Sequence, residues 1–125
     1  MKTEKKIQIG LTAGVVIIAA IVFLSMNKNI EGKYDSFAKC LTDSGAKMYG
    51  AFWCPHCEEQ KKMFSTSWSK VNYIECSNAD RTQTEVCKQA RITGYPTWEF
   101  RDGKRAEGLL TFEKLSQMSG CSLGG

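Results

Sequence analysis

Residues Phe52-Trp53-Cys54-Pro55-His56-Cys57 constrain the chain more than any other segment. Two cysteines three positions apart follow a mostly apolar run of strand length, 46–52, and open a stretch that reads as a helix, 54–68. Pro55 falls at the first helical position, where its missing N–H is not needed. Cys54 is then the N-cap, with backbone N–H groups aimed at its sulfur. Those donors and the helix dipole favour a thiolate, and His56, when charged, adds a cation nearby. Cys57, one turn on and facing the core, is the resolving thiol. A structural bridge here would close almost no chain and stabilise little. A metal site needs three or four ligands, whereas the chain has one histidine and no second C-x-x-C. The segment therefore reads as a redox dithiol with no metal.

The surrounding pattern alternates between helical and strand periods. Tyr34, Phe37, Ala38 and Leu41 mark an amphipathic helix ending near Gly45. A strand is expected over 71–76. Thr82-Gln83-Thr84-Glu85 reads as a capping box opening a helix through Arg91. Residues 97–101 alternate and meet a turn at Asp102-Gly103, so a hairpin with 105–109 follows. Thr111 caps a last helix that Gly120 ends. The order predicts an α/β fold: a mixed sheet with parallel strands joined by helices, an antiparallel hairpin, and helices on both faces.

Upstream of this domain, residues 7–26 carry no charge and are mostly apolar. As a helix they would reach about 30 Å, the depth of a bilayer core. A cleaved signal would have a shorter apolar centre and an A-x-A-like site, so a retained single-pass anchor is the expectation. Lys2, Lys5 and Lys6 before it, against Lys28 and Lys33 after it, favour a cytoplasmic amino terminus and an extracytoplasmic domain in the periplasm, at the cell surface or in a lumen. The six cysteines agree with an oxidising compartment. The expected organisation is a basic flank at 1–6, an anchor at 7–26 in the lipid bilayer, a linker at 27–33, a domain at 34–121 and a tail at 122–125. Most of the net charge of +4 lies before residue 29, so the domain is nearly neutral and offers nucleic acid no electrostatic footprint. Lys61, Lys62, Arg101, Lys104 and Arg105 read as a solvated face.

Gly94-Tyr95-Pro96-Thr97 is a second signal. A cis Tyr95–Pro96 bond would place the Tyr95 backbone beside Cys54, where it can pair with an extended substrate. Trp53, Pro55, Tyr95 and Trp98 are candidates for lining an apolar groove there, although Trp98, alternating within a strand, is more often a core residue.

W-C-P-H-C after an apolar strand, with Gly-Tyr-Pro-Thr before another, resembles the thioredoxin superfamily. Within it, residues 45–57 and Tyr95-Pro96-Thr97-Trp98 resemble the thioredoxin-like domain fused to vitamin K epoxide reductase (VKOR) homologues of bacteria and chloroplasts. The resemblance spans about residues 34–120. It implies a domain that oxidises substrate proteins, unfolded or reduced exported chains here, and passes electrons to the VKOR membrane domain and on to quinone. It implies Cys54, Cys57, His56 and Pro96 as catalytic residues and no bound cofactor. One span in place of the four-helix VKOR domain implies a separate VKOR-like or DsbB-like partner, or another re-oxidant. Pro55-His56 also resembles DsbA-type oxidants. Thioredoxins carry a buried carboxylate six positions before the first cysteine, and Met48 stands there, which leans against a dedicated reductase. A reductase or isomerase on this fold, for example in cytochrome c maturation, is the first alternative, and a metal-binding or redox-inert module the second.

Four cysteines remain. Cys76 and Cys87 are either a bridge closing a short loop, worth about 2–3 kcal/mol, or two buried thiols. The resemblance, with a pair in matching places, favours the bridge. Cys40 and Cys121 pair by default, yet their helices are expected on opposite faces of the sheet, so the tail would have to wrap around an edge. The alternative is that one of them bonds a partner protein.

Overall fold

The computed structural model describes residues 2–26 and 31–124, with side chains of the first helix from Gly10 onward. Linker positions 27–30, the side chains of the expected basic flank and Gly125 lie outside the described residues. The chain divides into two units, Met1–Ile30 and Glu31–Gly125.

The first unit is one helix, α1 (Lys2–Met26). It exposes Leu11, Val15, Val16, Ile17, Ile18 and Ile21. Among the described residues, no helix is long and apolar enough to cross a membrane. The expectation of a single-pass anchor at 7–26, and of a membrane protein with an extracytoplasmic domain, is corrected accordingly.

The second unit contains α2 (Asp35–Asp43), β1 (Lys47–Gly50), α3 (Pro55–Phe64), a 3-10 segment (Ser65–Lys70), β2 (Tyr73–Glu75), α4 (Glu85–Gln89), β3 (Thr97–Glu99), β4 (Arg105–Glu107) and α5 (Phe112–Ser119). The strands form one mixed sheet in the order β2-β1-β3-β4. β1 is parallel to β2 and antiparallel to β3, and β3 and β4 form an antiparallel hairpin. This matches the mixed α/β sheet expected and fits a thioredoxin-like fold.

Strand alternation separates two cores. Met48 pairs in register with both Tyr73 and Trp98, and these face a large cluster with Phe37, Leu41, Phe64 and Leu115 from α2, α3 and α5. Tyr49 points the other way and packs with Cys76, Cys87 and Ile92 beside α4. Phe64 is the hub of the larger core: its ring lies 4.8 Å from Phe112, 5.7 Å from Trp68 and 6.2 Å from Phe37. Helices α2 and α5 therefore share a face. The expectation that they lie on opposite faces is corrected, and the Cys40–Cys121 disulfide joins them without a detour.

The strands are shorter than the pattern implies, and two helices begin or end elsewhere. The redox helix stops at Phe64 rather than Trp68, because Ser65 takes a left-handed φ of 53° and Ser/Thr side chains compete for backbone groups in the segment that follows. Buried Ser67 there accepts a hydrogen bond from the Tyr34 N–H at 3.0 Å. Helix α4 starts after Thr84, not Thr82. The Thr82 hydroxyl is already engaged, donating to Asp80 Oδ1 at 2.6 Å. At α5 the sequence pattern and the structure agree: Thr111 Oγ1 accepts from Lys114 N–H, and Gly120 ends the helix at φ 78°.

Candidate active site

Strand β1 runs into a short loop that delivers Cys54 to the N-cap of α3 in extended conformation, φ −81° and ψ 119°. Pro55 occupies the first turn, as its fixed φ favours. Cys54 Sγ accepts the Cys57 N–H at 3.3 Å and lies 3.6 Å from the Tyr95 carbonyl oxygen, toward which its thiol can donate. Both Cys54 and Cys57 are free thiols and both are buried, Cys57 completely. The structure is thus the dithiol state of the pair.

The two sulfurs sit in different surroundings. Cys57 is pushed up to about 12, first by burial and next by its hydrogen bond with Cys54, while the Ala51 backbone and the Lys61 ammonium pull the other way. A Cβ at Gly50 would lie 3.1 Å from Cys57 Sγ, 2.9 Å from Tyr73 Cε2 and 3.3 Å from Met48 Cε, so glycine is what lets the sulfur rest on the sheet. Tyr73 is held protonated by burial and by the bond its hydroxyl donates to Glu75 Oε2 at 2.6 Å. Glu75 Oε1 in turn accepts the backbone N–H groups of Phe52 (3.1 Å) and Ser77 (3.0 Å), fixing the loop that leads to Cys54.

Across the site, Tyr95–Pro96 is a cis peptide. Pro96 is fully buried, and the Thr97 hydroxyl donates to the Gly94 carbonyl to close the turn. Trp53 and Tyr95 meet edge to face at 5.9 Å. Trp53 is 39% exposed and donates its Nε1–H to Ser77 Oγ at 2.8 Å. Gln83 Nε2 donates to the Tyr95 hydroxyl and to the Ile92 carbonyl, which fixes the tyrosine. His56 is exposed, with Nδ1 3.8 Å from the Glu59 carboxylate. Cys54, Cys57, Pro55, Pro96, Trp53 and Tyr95 therefore converge. Trp98 does not: it is completely buried, its Nε1–H given to Gln60 Oε1 at 3.2 Å, the core position that its alternation within the strand favours.

Gln60, Glu75, Ser77 and Gln83 are supporting residues that motif reading passes over. Gln60 had a signal, since it stands between Cys57 and Phe64 on their buried helix face. The other three are polar residues at strand ends and in loops, where nothing in the pattern marks them. The remaining cysteines form two disulfides, Cys40–Cys121 with Cα atoms 5.9 Å apart and Cys76–Cys87 at 5.5 Å. Among the described residues, no group of three or more His, Cys, Asp or Glu is placed to hold a metal.

No family model matches the chain. It is similar to thiol-disulfide oxidoreductase LTO1 of Arabidopsis thaliana, 44% identical over 93 residues, which cover 70% of this chain and 24% of that protein. It is also similar to probable protein disulfide-isomerase A4 of Caenorhabditis elegans, 38% identical over 73 residues, covering 57% of this chain and 12% of that one. The chain spans about a quarter or less of the length of these curated relatives. The mixed sheet fits a thioredoxin-like fold, and the relatives' names together with the paired thiols at the head of α3 support a redox function.

Proposed function

We propose that the domain oxidises protein dithiols through a Cys54–Cys57 disulfide. In this scheme a substrate thiolate attacks Cys54 Sγ, the Cys54–Cys57 bond breaks, and its electron pair goes to Cys57. A second substrate thiolate then attacks the substrate sulfur of the mixed disulfide and releases Cys54. The substrate departs with one disulfide, and the enzyme is left as the dithiol, reduced by two electrons. The observation that carries the reading is the placement of Cys54 at the N-cap of α3, its sulfur taking the Cys57 N–H and facing the Tyr95 carbonyl. That N–H donor, at the head of a helix, faces the sulfur that leaves when the mixed disulfide is resolved.

The exposed Phe52 and Trp53 beside Cys54 suit a reduced, extended polypeptide. Met48, fully buried where thioredoxins have a carboxylate, leaves the core without a base to activate Cys57 in the reducing direction. No bound cofactor enters the scheme. Re-oxidation falls to a quinone-linked membrane partner of the VKOR or DsbB kind. A second reading, an isomerase, is favoured by the relative named as a protein disulfide-isomerase. Equilibrating the protein with glutathione redox buffers separates them. A potential near about −120 mV supports the oxidant, about −180 mV the isomerase, and about −270 mV with insulin reduction would sink both in favour of a reductase.

A further inference from the structure

We infer that Lys61 is the positioning residue that stabilises the charge appearing on Cys57 when the disulfide is opened. The inference rests on the oxidising scheme above, in which Cys57 is the leaving group. The electron pair of the broken S–S bond arrives on a sulfur with no solvent access. A thiolate in such a place is a poor leaving group unless a cation faces it.

Lys61 stands four residues after Cys57 on α3, on the same side of the helix. Its side chain is only 21% exposed. The ammonium lies 4.3 Å from the centroid of the Tyr73 ring and 3.2 Å from Glu58 Oε1. A carbon of that same ring and Cys57 Sγ both lie over Gly50, 2.9 Å and 3.1 Å from where its Cβ would be. Ammonium, ring and sulfur thus form one cluster between α3 and β2. The titratable groups acting on Cys57 are Cys54, the N-cap of α3, and Lys61 on α3, and those acting on the neighbouring Tyr73 ring include Glu58 on α3 and Glu75 on β2. The Tyr73 proton is committed to Glu75, and Glu75 is engaged by two backbone donors. Lys61 is the cation of the set, and its field acts on Cys57 against the effect of burial. Tyr73 holds it by a cation–π contact, and Glu58 holds it at the cost of part of its field.

The test reads Cys57 directly. In the full chain carrying Cys54→Ser, whose hydroxyl can keep the N-cap bond, the iodoacetamide rate at pH 8.0 reports the thiolate fraction of Cys57. For each pKa unit gained, Lys61→Met should lower the thiolate fraction about tenfold and the rate about threefold, because the more basic thiolate is the better nucleophile. Lys61→Arg should restore it, and Glu58→Gln should raise it. With Cys54 present, Lys61→Met should slow the attack of glutathione on the disulfide by a similar factor. Its potential should hold, because Cys57 is protonated in the reduced protein at neutral pH. An unchanged alkylation rate in Lys61→Met, or a fall that Lys61→Arg fails to restore, overturns the assignment. Alkylation needs no oxidase activity. A protein that shows the Lys61 effect but oxidises no dithiol would therefore sink the proposed function and leave this assignment standing.

Discussion

Cys57 Sγ rests directly on Gly50: a Cβ built on that glycine would be 3.1 Å from the sulfur and 2.9 Å from a ring carbon of Tyr73. Neither neighbour can yield cheaply, since one is fixed on α3 and the other is an aromatic ring bonded to Glu75. Gly50→Ala should therefore destabilise the protein by about 1–3 kcal/mol, the range for overpacking a filled core. It should also lift the start of α3 off the sheet and expose Cys57. Urea midpoints and the alkylation rate of Cys57 check the two effects. A variant as stable as the parent would show that the sulfur has more room than this geometry allows.

Gln60 ties the redox helix to the rest of the core. It is completely buried, and its oxygen accepts the Leu110 N–H at 2.9 Å and the Trp98 Nε1–H at 3.2 Å. Its amide nitrogen donates to the Leu110 carbonyl at 3.1 Å. Gln60→Leu keeps much of the volume but leaves two buried donors and one acceptor without partners. The expected loss is about 2–4 kcal/mol, because each orphaned group keeps its desolvation cost. Chemical denaturation with intrinsic tryptophan fluorescence measures it. A loss below about 0.5 kcal/mol would mean that the three groups find other partners.

What the sequence makes legible follows from which interactions are local. The N-cap position of Cys54, the Asp102-Gly103 turn and the Thr111 and Gly120 caps are decided within a few residues, and their patterns are strong. What stays hidden depends on distant partners. Nothing near Cys40 or Cys121 says that α2 and α5 share a face, because that is set by the Phe37–Phe64–Phe112 packing across the core. Likewise, Thr82 looks like a helix cap until Asp80 takes its hydroxyl. Among the described residues no helix is long and apolar enough to cross a membrane, although the bare apolar run at 7–26 suggests one.

The two disulfides should differ in their worth. Cys40–Cys121 links residues 81 apart and Cys76–Cys87 residues 11 apart. In the chain-entropy description these separations correspond to about 4.5 and about 2.8 kcal/mol respectively. Paired Cys→Ser substitution at 40 and 121 should therefore lower the urea midpoint more than the pair at 76 and 87. The second pair lies fully buried beside Tyr49 and Ile92, so its serines carry a burial cost that narrows the gap. Equal losses after each pair is instead replaced by alanine would argue against loop closure as the source.

Burial of Cys57 also predicts how stability responds to alkali. Its thiol is raised from 9.0 to about 12 in the folded protein, chiefly by burial, with the Cys54 hydrogen bond second. Below pH 9 both folded and unfolded chains keep the proton, and the contribution is fully present. Between pH 9 and 12 the unfolded chain gives the proton up while the folded one holds it, so stability falls as pH rises, by at most about 1.4 kcal/mol per unit. Tyr73 adds a loss of the same sign at higher pH, held protonated by burial and by Glu75. Comparing Cys54→Ser with Cys54→Ser/Cys57→Ala removes that shared part and the titration of Cys54. The single variant should lose stability more steeply above pH 9, since burial, the larger cause, survives the loss of Cys54. Parallel curves from pH 8 to 11 would show that Cys57 ionises as easily in the folded chain as in the unfolded one, and that no buried charge has to be stabilised when the disulfide opens.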